Sequence, residues 1–112
     1  MYYIVARSHK TNYPKPITLM KGQAIIVSEK REGYWIYCKT TDEAMEGWVP
    51  ESLIKIDGNT AFASENYTAR ELNIDVNEKV IGIKELYGWL WCRNVSNDEE
   101  GWVPIDHLKP IV

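Results

Sequence analysis

The sequence predicts an all-β protein made of two copies of one unit. The pentapeptide Glu46–Pro50 reads Glu-Gly-Trp-Val-Pro, and it returns 54 positions later as Glu100–Pro104. The aromatic stretch Trp35–Cys38 recurs at the same offset as Trp89–Cys92. No segment sustains a helical spacing of apolar residues over three turns, whereas short β-prone runs recur between turn residues. Two motifs that share one offset indicate the duplication of a β-rich unit.

The first repeat is predicted to contain short strands and one helical turn. Loops rich in Pro, Gly and charged residues separate these strands, which cover residues 2–6, 17–19, 24–28, 34–38 and 46–50. Pro50 has no backbone N–H group to donate to a neighbouring strand, so we expect the last strand to end there and a helical turn to follow. The sequence Asp57-Gly58-Asn59 is typical of a turn and predicts the end of the repeat.

The second repeat follows the same order with different loops. Its predicted strands cover residues 61–63, 71–74, 80–83, 89–92 and 100–104. The repeats therefore predict two domains, residues 1–57 and 58–112. A domain of about 55 residues buries only roughly 60% of the surface that its unfolded chain exposes, and the turn between the repeats is too short to be a flexible tether. We expect the two domains to pack against each other.

The composition indicates a soluble protein without a nucleic-acid or membrane partner. The chain has 13 Lys and Arg against 16 Asp and Glu, a net charge of −3, and so lacks the basic excess that phosphate backbones require. The first residues do not form an export signal, and no apolar run is long enough to span a bilayer. We expect a cytoplasmic protein that is a monomer or a weak homodimer.

The sequence contains no pattern that indicates catalysis, a metal site or a cofactor. Cys38 and Cys92 occupy the same position in their repeats, which favours two small core residues over a disulfide or a nucleophile. His9 and His107 have no neighbour at metal-ligand spacing. Paired acids and bases and phosphate-binding loops are also missing from the sequence, so we expect no enzymatic activity.

The order of these elements resembles the Src-homology-3 (SH3) domain, twice in tandem and in its divergent bacterial form. The resemblance rests on a long first loop, a strand led by Trp, a hairpin, and Gly-Trp-Val-Pro before a helical turn, and it covers essentially the whole chain. It implies a small five-stranded barrel for each repeat. It also implies a ligand groove formed by the leading Trp, the Pro, the residue three positions after that Pro, and an aromatic residue of the first loop.

Carried over to this chain, the resemblance implies two grooves. The first groove would contain Tyr13, Trp35, Pro50 and Leu53, and the second would contain Tyr67, Trp89, Pro104 and His107. Leu53 and His107 stand where the family has Tyr, so we expect the two grooves to differ.

The charges near the two predicted grooves also differ. The first loop of the first repeat is basic, which favours an acidic or neutral ligand, and carries Arg7, His9, Lys10 and Lys15. The second repeat has Glu65, Glu71 and Asp75, which favour a basic peptide.

The Trp of the repeated pentapeptide has a different predicted role. Trp48 and Trp102 follow Gly and precede a core Val, so we expect them on the outer face of the sheet. Packing between the two domains is favoured for them over ligand contact.

The sequence therefore predicts a non-catalytic module that binds a protein or peptide through aromatic grooves. Two alternatives stay open at this point. One is a module that binds cell-wall peptidoglycan, against which the missing export signal argues. The other is a structural or assembly domain, in which the second barrel supports the first or a homodimer.

Overall fold

The protein is all-β, as the sequence predicts. The computed structural model describes residues 1–11 and 15–112, so Tyr13 of the first predicted groove lies outside the described residues. No helix in this described part of the chain is long and apolar enough to cross a membrane. The strands are β1 (Tyr2–Val5), β2 (Thr18–Leu19), β3 (Ala24–Glu32), β4 (Trp35–Thr40), β5 (Glu46–Pro50), β6 (Ile54–Asp57), β7 (Thr60–Ala63), β8 (Tyr67–Thr68), β9 (Lys79–Leu86), β10 (Trp89–Asn94), β11 (Glu100–Pro104) and β12 (Leu108–Pro110).

The longer strands form two antiparallel five-stranded sheets. One sheet has the order β5-β4-β3-β7-β6, and the other has the order β11-β10-β9-β1-β12. Strands β2 and β8 form a separate two-stranded sheet. A short 3₁₀ turn follows Pro50 at Glu51–Leu53, and another follows Pro104 at Ile105–His107, as the repeat predicts.

The chain divides into two compact units that do not coincide with the two repeats. The terminal unit consists of Met1–Asn12 together with Glu71–Val112, and the central unit consists of Tyr13–Arg70. The predicted domain boundary between residues 57 and 58 therefore differs from the division that the structure shows. Each unit combines the first strand of one repeat with the later strands of the other.

The strand register shows how the first strands are exchanged. In the terminal unit, Tyr3 of β1 is the partner of Val80 in β9 and of Pro110 in β12. In the central unit, the equivalent partner of Ile25 in β3 and of Ile56 in β6 is Ala61 of β7. The two repeats have thus exchanged their first strands reciprocally, and the two exchanged strands have equivalent registers in their new sheets.

The turn at the end of the first repeat is real, but its role differs from the prediction. Gly58 has a φ of +63°, a backbone conformation that favours glycine. The turn joins β6 to β7, whose register pairs Asp57 with Thr60. It is therefore the turn of a hairpin inside the central unit. Because β6 and β7 pair across this turn, the end of the first repeat is not a boundary between units.

The inward side of the terminal unit is a single apolar cluster. Its buried members come from both ends of the chain: Val5, Leu72, Ile74, Val80, Leu90, Cys92, Val103 and Leu108. Tyr3 packs against the cluster. Because Val5 and Tyr3 belong to the exchanged strand, the terminal unit needs residues from both repeats to complete its core.

The Gly of the repeated pentapeptide permits close packing of a neighbouring loop. A Cβ atom at Gly101 would lie 2.6 Å from the backbone nitrogen of Leu72. At the equivalent Gly47, a Cβ atom would lie 3.0 Å from the Cγ2 atom of Ile17. Both glycines are therefore required by packing, and the space is tighter at Gly101 because the opposing atom belongs to the backbone.

We expect Gly101→Ala to destabilise the protein by about 1–3 kcal/mol, because the added methyl group overpacks against backbone atoms. Gly47→Ala is the matched control and should lower the free energy of unfolding less, since the Ile17 side chain has more freedom to move. Urea unfolding followed by tryptophan fluorescence measures both changes. An equal or larger loss in Gly47→Ala would contradict this account of the packing.

Cys38 and Cys92 are buried core residues with free thiols, as their repeated position predicts. Burial raises the pKa of Cys38 to about 11 and that of Cys92 to about 12, from an ordinary value of 9.0. Burial disfavours the charged thiolate, which is the reactive form. The two thiols therefore lack the environment of a catalytic nucleophile.

The cysteines should make the protein less stable as pH rises from about 9 towards 11. Over this range the folded chain keeps two thiol protons that the unfolded chain releases. The free energy of unfolding should therefore fall by up to about 1.4 kcal/mol per pH unit for each thiol. Urea unfolding at several pH values measures this slope. The control is Cys38→Ala/Cys92→Ala, which should show a shallower slope, and an unchanged slope would contradict the role of the thiols.

Candidate ligand-binding grooves

Each unit places a Trp beside a Pro on neighbouring strands. Trp35 in β4 is the register partner of Pro50 in β5, and Trp89 in β10 is the register partner of Pro104 in β11. Both Trp side chains are half-buried, so each indole is held in place while part of it faces solvent. The sequence predicted these two pairs, and the structure brings the members of each pair together.

In the terminal unit, a histidine from the exchanged arm joins the pair. The ring of His9 lies 5.7 Å from the ring of Trp89, at an interplanar angle of 75°. It also lies 5.7 Å from the ring of His107, at 83°. Edge-to-face contacts of this kind are favourable between aromatic rings. His9, Trp89 and His107 therefore form one aromatic cluster.

A carboxylate on the opposite side of His9 fixes its position. Nε2 of His9 lies 2.7 Å from Oε1 of Glu71, and both side chains are largely shielded from solvent. The hydroxyl of Thr11 donates to Oε2 of the same carboxylate at 3.3 Å. The carboxylate of Glu71 thus has both oxygens engaged, and it orients the His9 ring towards Trp89.

Sequence reasoning placed His9 near the first groove and missed its contact with the second. His9 and Glu71 are separated by 62 positions in the chain, and they meet because β1 belongs to the terminal unit. No local pattern around His9 signals this contact. Only the pairing of β1 with β9 and β12 brings the arm to Trp89.

Tyr67 was assigned to the second groove, whereas the structure places it in the central unit. It is the register partner of Leu19, and its hydroxyl donates to the backbone carbonyl of Trp48 at 3.0 Å. The side chain is 8% exposed. Tyr67 therefore belongs to the same unit as Trp35 and to a different unit from Trp89, because its arm is exchanged as well.

Leu53 and His107 occupy equivalent positions at the ends of the two 3₁₀ turns. Both are partly exposed, as a groove residue requires. Leu53 accepts a hydrogen bond from the backbone N–H of Ser64 at 2.9 Å, which ties the turn to the arm of the other repeat. The structure thus places an apolar residue at this position in one unit and an imidazole in the other.

The exchange also redistributes the charges that the sequence assigned to each groove. Three of the four basic residues of the first loop lie in the terminal unit beside its acids, whereas Lys15 belongs to the central unit. The contacts are Arg7 with Asp106 at 3.1 Å, His9 with Glu71 at 2.7 Å, and Lys10 with Asp75 at 3.0 Å. Glu65 belongs to the central unit instead. The sequence-based expectation of a basic first groove and an acidic second groove therefore assigns these charges to the wrong units. The exchange places the charged residues of each arm in the unit that contains the later strands of the other repeat.

The Trp residues of the pentapeptide form cross-strand aromatic pairs. Trp48 lies 5.3 Å from Tyr37, and Trp102 lies 5.3 Å from Trp91, both edge to face. Nζ of Lys30 lies 4.9 Å from the centre of the Tyr37 ring. These pairs stabilise neighbouring strands of one sheet. The two pairs therefore give Trp48 and Trp102 a packing role within their own units.

The comparison with known families identifies the fold. The variant SH3 domain model matches residues 2–57. The chain belongs to the SH3 domain family. The matched residues correspond to the first repeat, including the Trp35 and Pro50 pair. The SH3 fold is a non-catalytic binding fold, and among the described residues no group of three or more His, Cys, Asp or Glu is placed to hold a metal ion.

Several eukaryotic proteins are similar to this chain. The SH3 and PX domain-containing protein 2B of Homo sapiens is 29% identical over 124 aligned positions, which cover 96% of this chain, and that of Mus musculus is 28% identical. Myosin-3 of Candida glabrata is 36% identical over 55 positions, which cover 48% of this chain. The chain spans 13% of the length of the first two relatives and 4% of the third. These relatives do not support the expected bacterial type.

The contact of His9 with Trp89 predicts a specific spectral change. In His9→Ala, the indole N–H resonance of Trp89 should shift, because the imidazole edge no longer lies against its ring. The resonance of Trp35 should stay in place. Proton–nitrogen correlation spectra with assigned indole signals measure both effects. Tyr67→Phe is the matched control and should affect residues of the central unit alone, and a Trp35 shift in His9→Ala would contradict the exchanged arrangement.

Proposed function

We propose that this protein is a tandem SH3 module that binds protein or peptide segments through two separate grooves. Each unit is then a closed five-stranded SH3-like barrel. The groove of the terminal unit is formed by His9, Trp89, Pro104 and His107. The groove of the central unit is formed by Trp35 and Leu53, and Pro50, the register partner of Trp35, is buried there.

One observation carries this proposal: the Trp and Pro that line an SH3 groove lie side by side in both units. The two pairs have the same register, and the Trp of each pair is half-buried. An indole held in this way offers a flat apolar surface to an extended chain, and its N–H group can donate a hydrogen bond. Extended proline-rich segments suit such surfaces because they are already ordered before binding.

The two grooves differ in chemistry, so we infer that they select different ligands. In the terminal groove, the imidazole ring of His9 contacts both the Trp89 indole and the His107 ring. Leu53 occupies in the central unit the position that His107 occupies in the terminal unit, so the central groove is more apolar at this position. A ligand of the terminal groove should carry polar or charged groups beside its apolar residue. A ligand of the central groove should be mainly apolar.

The test is a titration of the protein with proline-containing peptides that differ in charge. Binding at the terminal groove should shift the indole resonance of Trp89, and binding at the central groove should shift that of Trp35. Truncating a groove Trp should cost about 2 kcal/mol or more, roughly a 30-fold loss of affinity, because anchor tryptophans dominate interfaces of this kind. Trp89→Ala should therefore abolish peptide binding at the terminal groove and leave peptide binding at the central groove unchanged.

Trp35→Ala is the matched control for Trp89→Ala and should show the reverse pattern. Peptide-induced shifts that cluster away from both tryptophans, or survive in the double variant, would overturn the groove assignment. A peptide that binds both grooves with equal affinity would contradict their difference but leave the general function intact.

Other expectations about this protein remain predictions. A cytoplasmic location, a monomer or weak homodimer, and the absence of nucleic-acid and membrane partners rest on the sequence alone. The peptidoglycan alternative gains no support from the eukaryotic relatives. A sedimentation measurement of the protein alone tests the oligomeric state directly.

A further inference from the structure

The exchange of first strands means that each arm pairs with the later strands of the other repeat and not with those of its own. We call residues 1–11 the first arm and residues 58–70 the second arm. Their backbones are bound in the same way: the N–H of Val5 donates to Glu78, and the N–H of Ala63 donates to the equivalent Gln23, each at 2.9 Å. Because these backbone contacts are the same, they do not discriminate between the arms. Any discrimination must come from side chains or from the connecting segments.

The charged side chains of the first arm have acidic partners in the terminal unit and would have none at the equivalent positions of the central unit. The arm's ion pairs end on Asp106 and Asp75, and its His9 is hydrogen-bonded to Glu71. The equivalent positions in the central unit carry no acid, as they are Ser52, Pro16 and Met20. If the first arm lay in the central unit, it would therefore lose every one of these partners. Exposed ion pairs are weak individually, but specificity depends only on the difference between two arrangements.

The second arm has the opposite preference. Aligned on the shared register, Glu65 stands where the first arm has Arg7. In the terminal unit, Glu65 would lie beside Asp106, and two like charges at this distance repel each other. Tyr67 stands where the first arm has His9, and in the central unit its hydroxyl donates to the carbonyl of Trp48. The second arm is therefore matched to the central unit.

The sizes of the side chains agree with the charges. A Cβ atom at Gly82 would lie 2.8 Å from Cε2 of Tyr3 and 2.8 Å from Cδ2 of Leu90, so a side chain here would force the tyrosine ring or Leu90 to move. The equivalent position of the central unit is Val27, and the arm residue that faces the same place is Ala61. The terminal unit therefore combines a large arm residue with a glycine, whereas the equivalent positions of the central unit carry a small arm residue and a valine. Returning each arm to its own repeat would put Tyr3 against Val27.

We propose that these side chains encode the exchange, so that each unit is a recognition surface for the arm of the other repeat. The terminal unit accepts the basic arm, whose Tyr3 packs against Gly82. The central unit accepts the arm that has Glu65 in place of Arg7 and Ala61 in place of Tyr3. This pairing goes beyond ligand binding, since it determines which groove receives His9 and which unit receives Tyr67.

Disulfide trapping in the full chain distinguishes the two arrangements. Ile4 of the first arm is the register partner of Lys79, and in the unexchanged arrangement it would be the partner of Ala24. Register partners in a sheet are close enough for a disulfide. Ile4→Cys/Lys79→Cys should therefore crosslink within one chain, whereas Ile4→Cys/Ala24→Cys should not. Mass spectrometry of the monomer band after digestion identifies the linked peptides, and buried Cys38 and Cys92 do not compete.

The decisive variant exchanges the side chains of the two arms. In the first arm it carries Tyr3→Ala, Arg7→Glu, His9→Tyr and Lys10→Thr, and in the second arm it carries Ala61→Tyr, Glu65→Arg, Tyr67→His and Thr68→Lys. The proposal expects the crosslink preference to reverse, with position 4 linked to position 24. A crosslink that stays with position 79 would overturn the proposal and assign the exchange to the connecting segments.

A smaller variant keeps the test decisive if the eight substitutions prevent folding. Arg7→Glu/Lys10→Thr/Glu65→Arg changes exposed side chains only, where substitutions rarely affect the fold. The ratio of the 4–79 crosslink to the 4–24 crosslink should fall relative to the parent chain. An unchanged ratio would overturn the contribution of charge to arm recognition.

Discussion

The terminal unit depends on the pairing of β1 with strands on both of its sides. The N–H of Val5 donates to Glu78 and its carbonyl accepts from Asn77, while its side chain is 1% exposed. Without β1, strands β9 and β12 would each expose unpaired backbone groups, and the apolar cluster would open to solvent. Since β1 belongs to the first repeat, the terminal unit contains residues of both repeats.

This dependence also determines the chemistry of the grooves. The arm that completes the terminal sheet carries His9 to Trp89 and His107, and the arm that completes the central sheet carries Tyr67 to Leu19. The family model matches the contiguous residues 2–57, whereas neither compact unit is that segment. Family signatures follow the order of residues in the chain, but groove residues follow the folded unit. Each proposed groove therefore lies in a unit that combines the later strands of one repeat with the arm of the other.

The positions that the repeats share and those at which they differ have separate physical roles. Gly47 and Gly101 are shared because a side chain there would overlap a neighbouring loop, and Cys38 and Cys92 are shared because each fills a small core space. The arms differ in size and charge at equivalent positions, as Tyr3 does from Ala61. Shared positions maintain one fold, while differing positions distinguish the two units.

The sequence by itself determined the duplication, the all-β class, the strands around the repeated pentapeptide and the two Trp–Pro pairs. These features depend on local patterns or on a constant offset, which are visible without coordinates. The tertiary structure decided which arm completes which sheet, and with it the positions of His9 and Tyr67. Both arms have the same backbone register, so backbone pairing does not distinguish the two choices. The choice rests on contacts such as that between Tyr3 and Gly82, which join residues far apart in the chain.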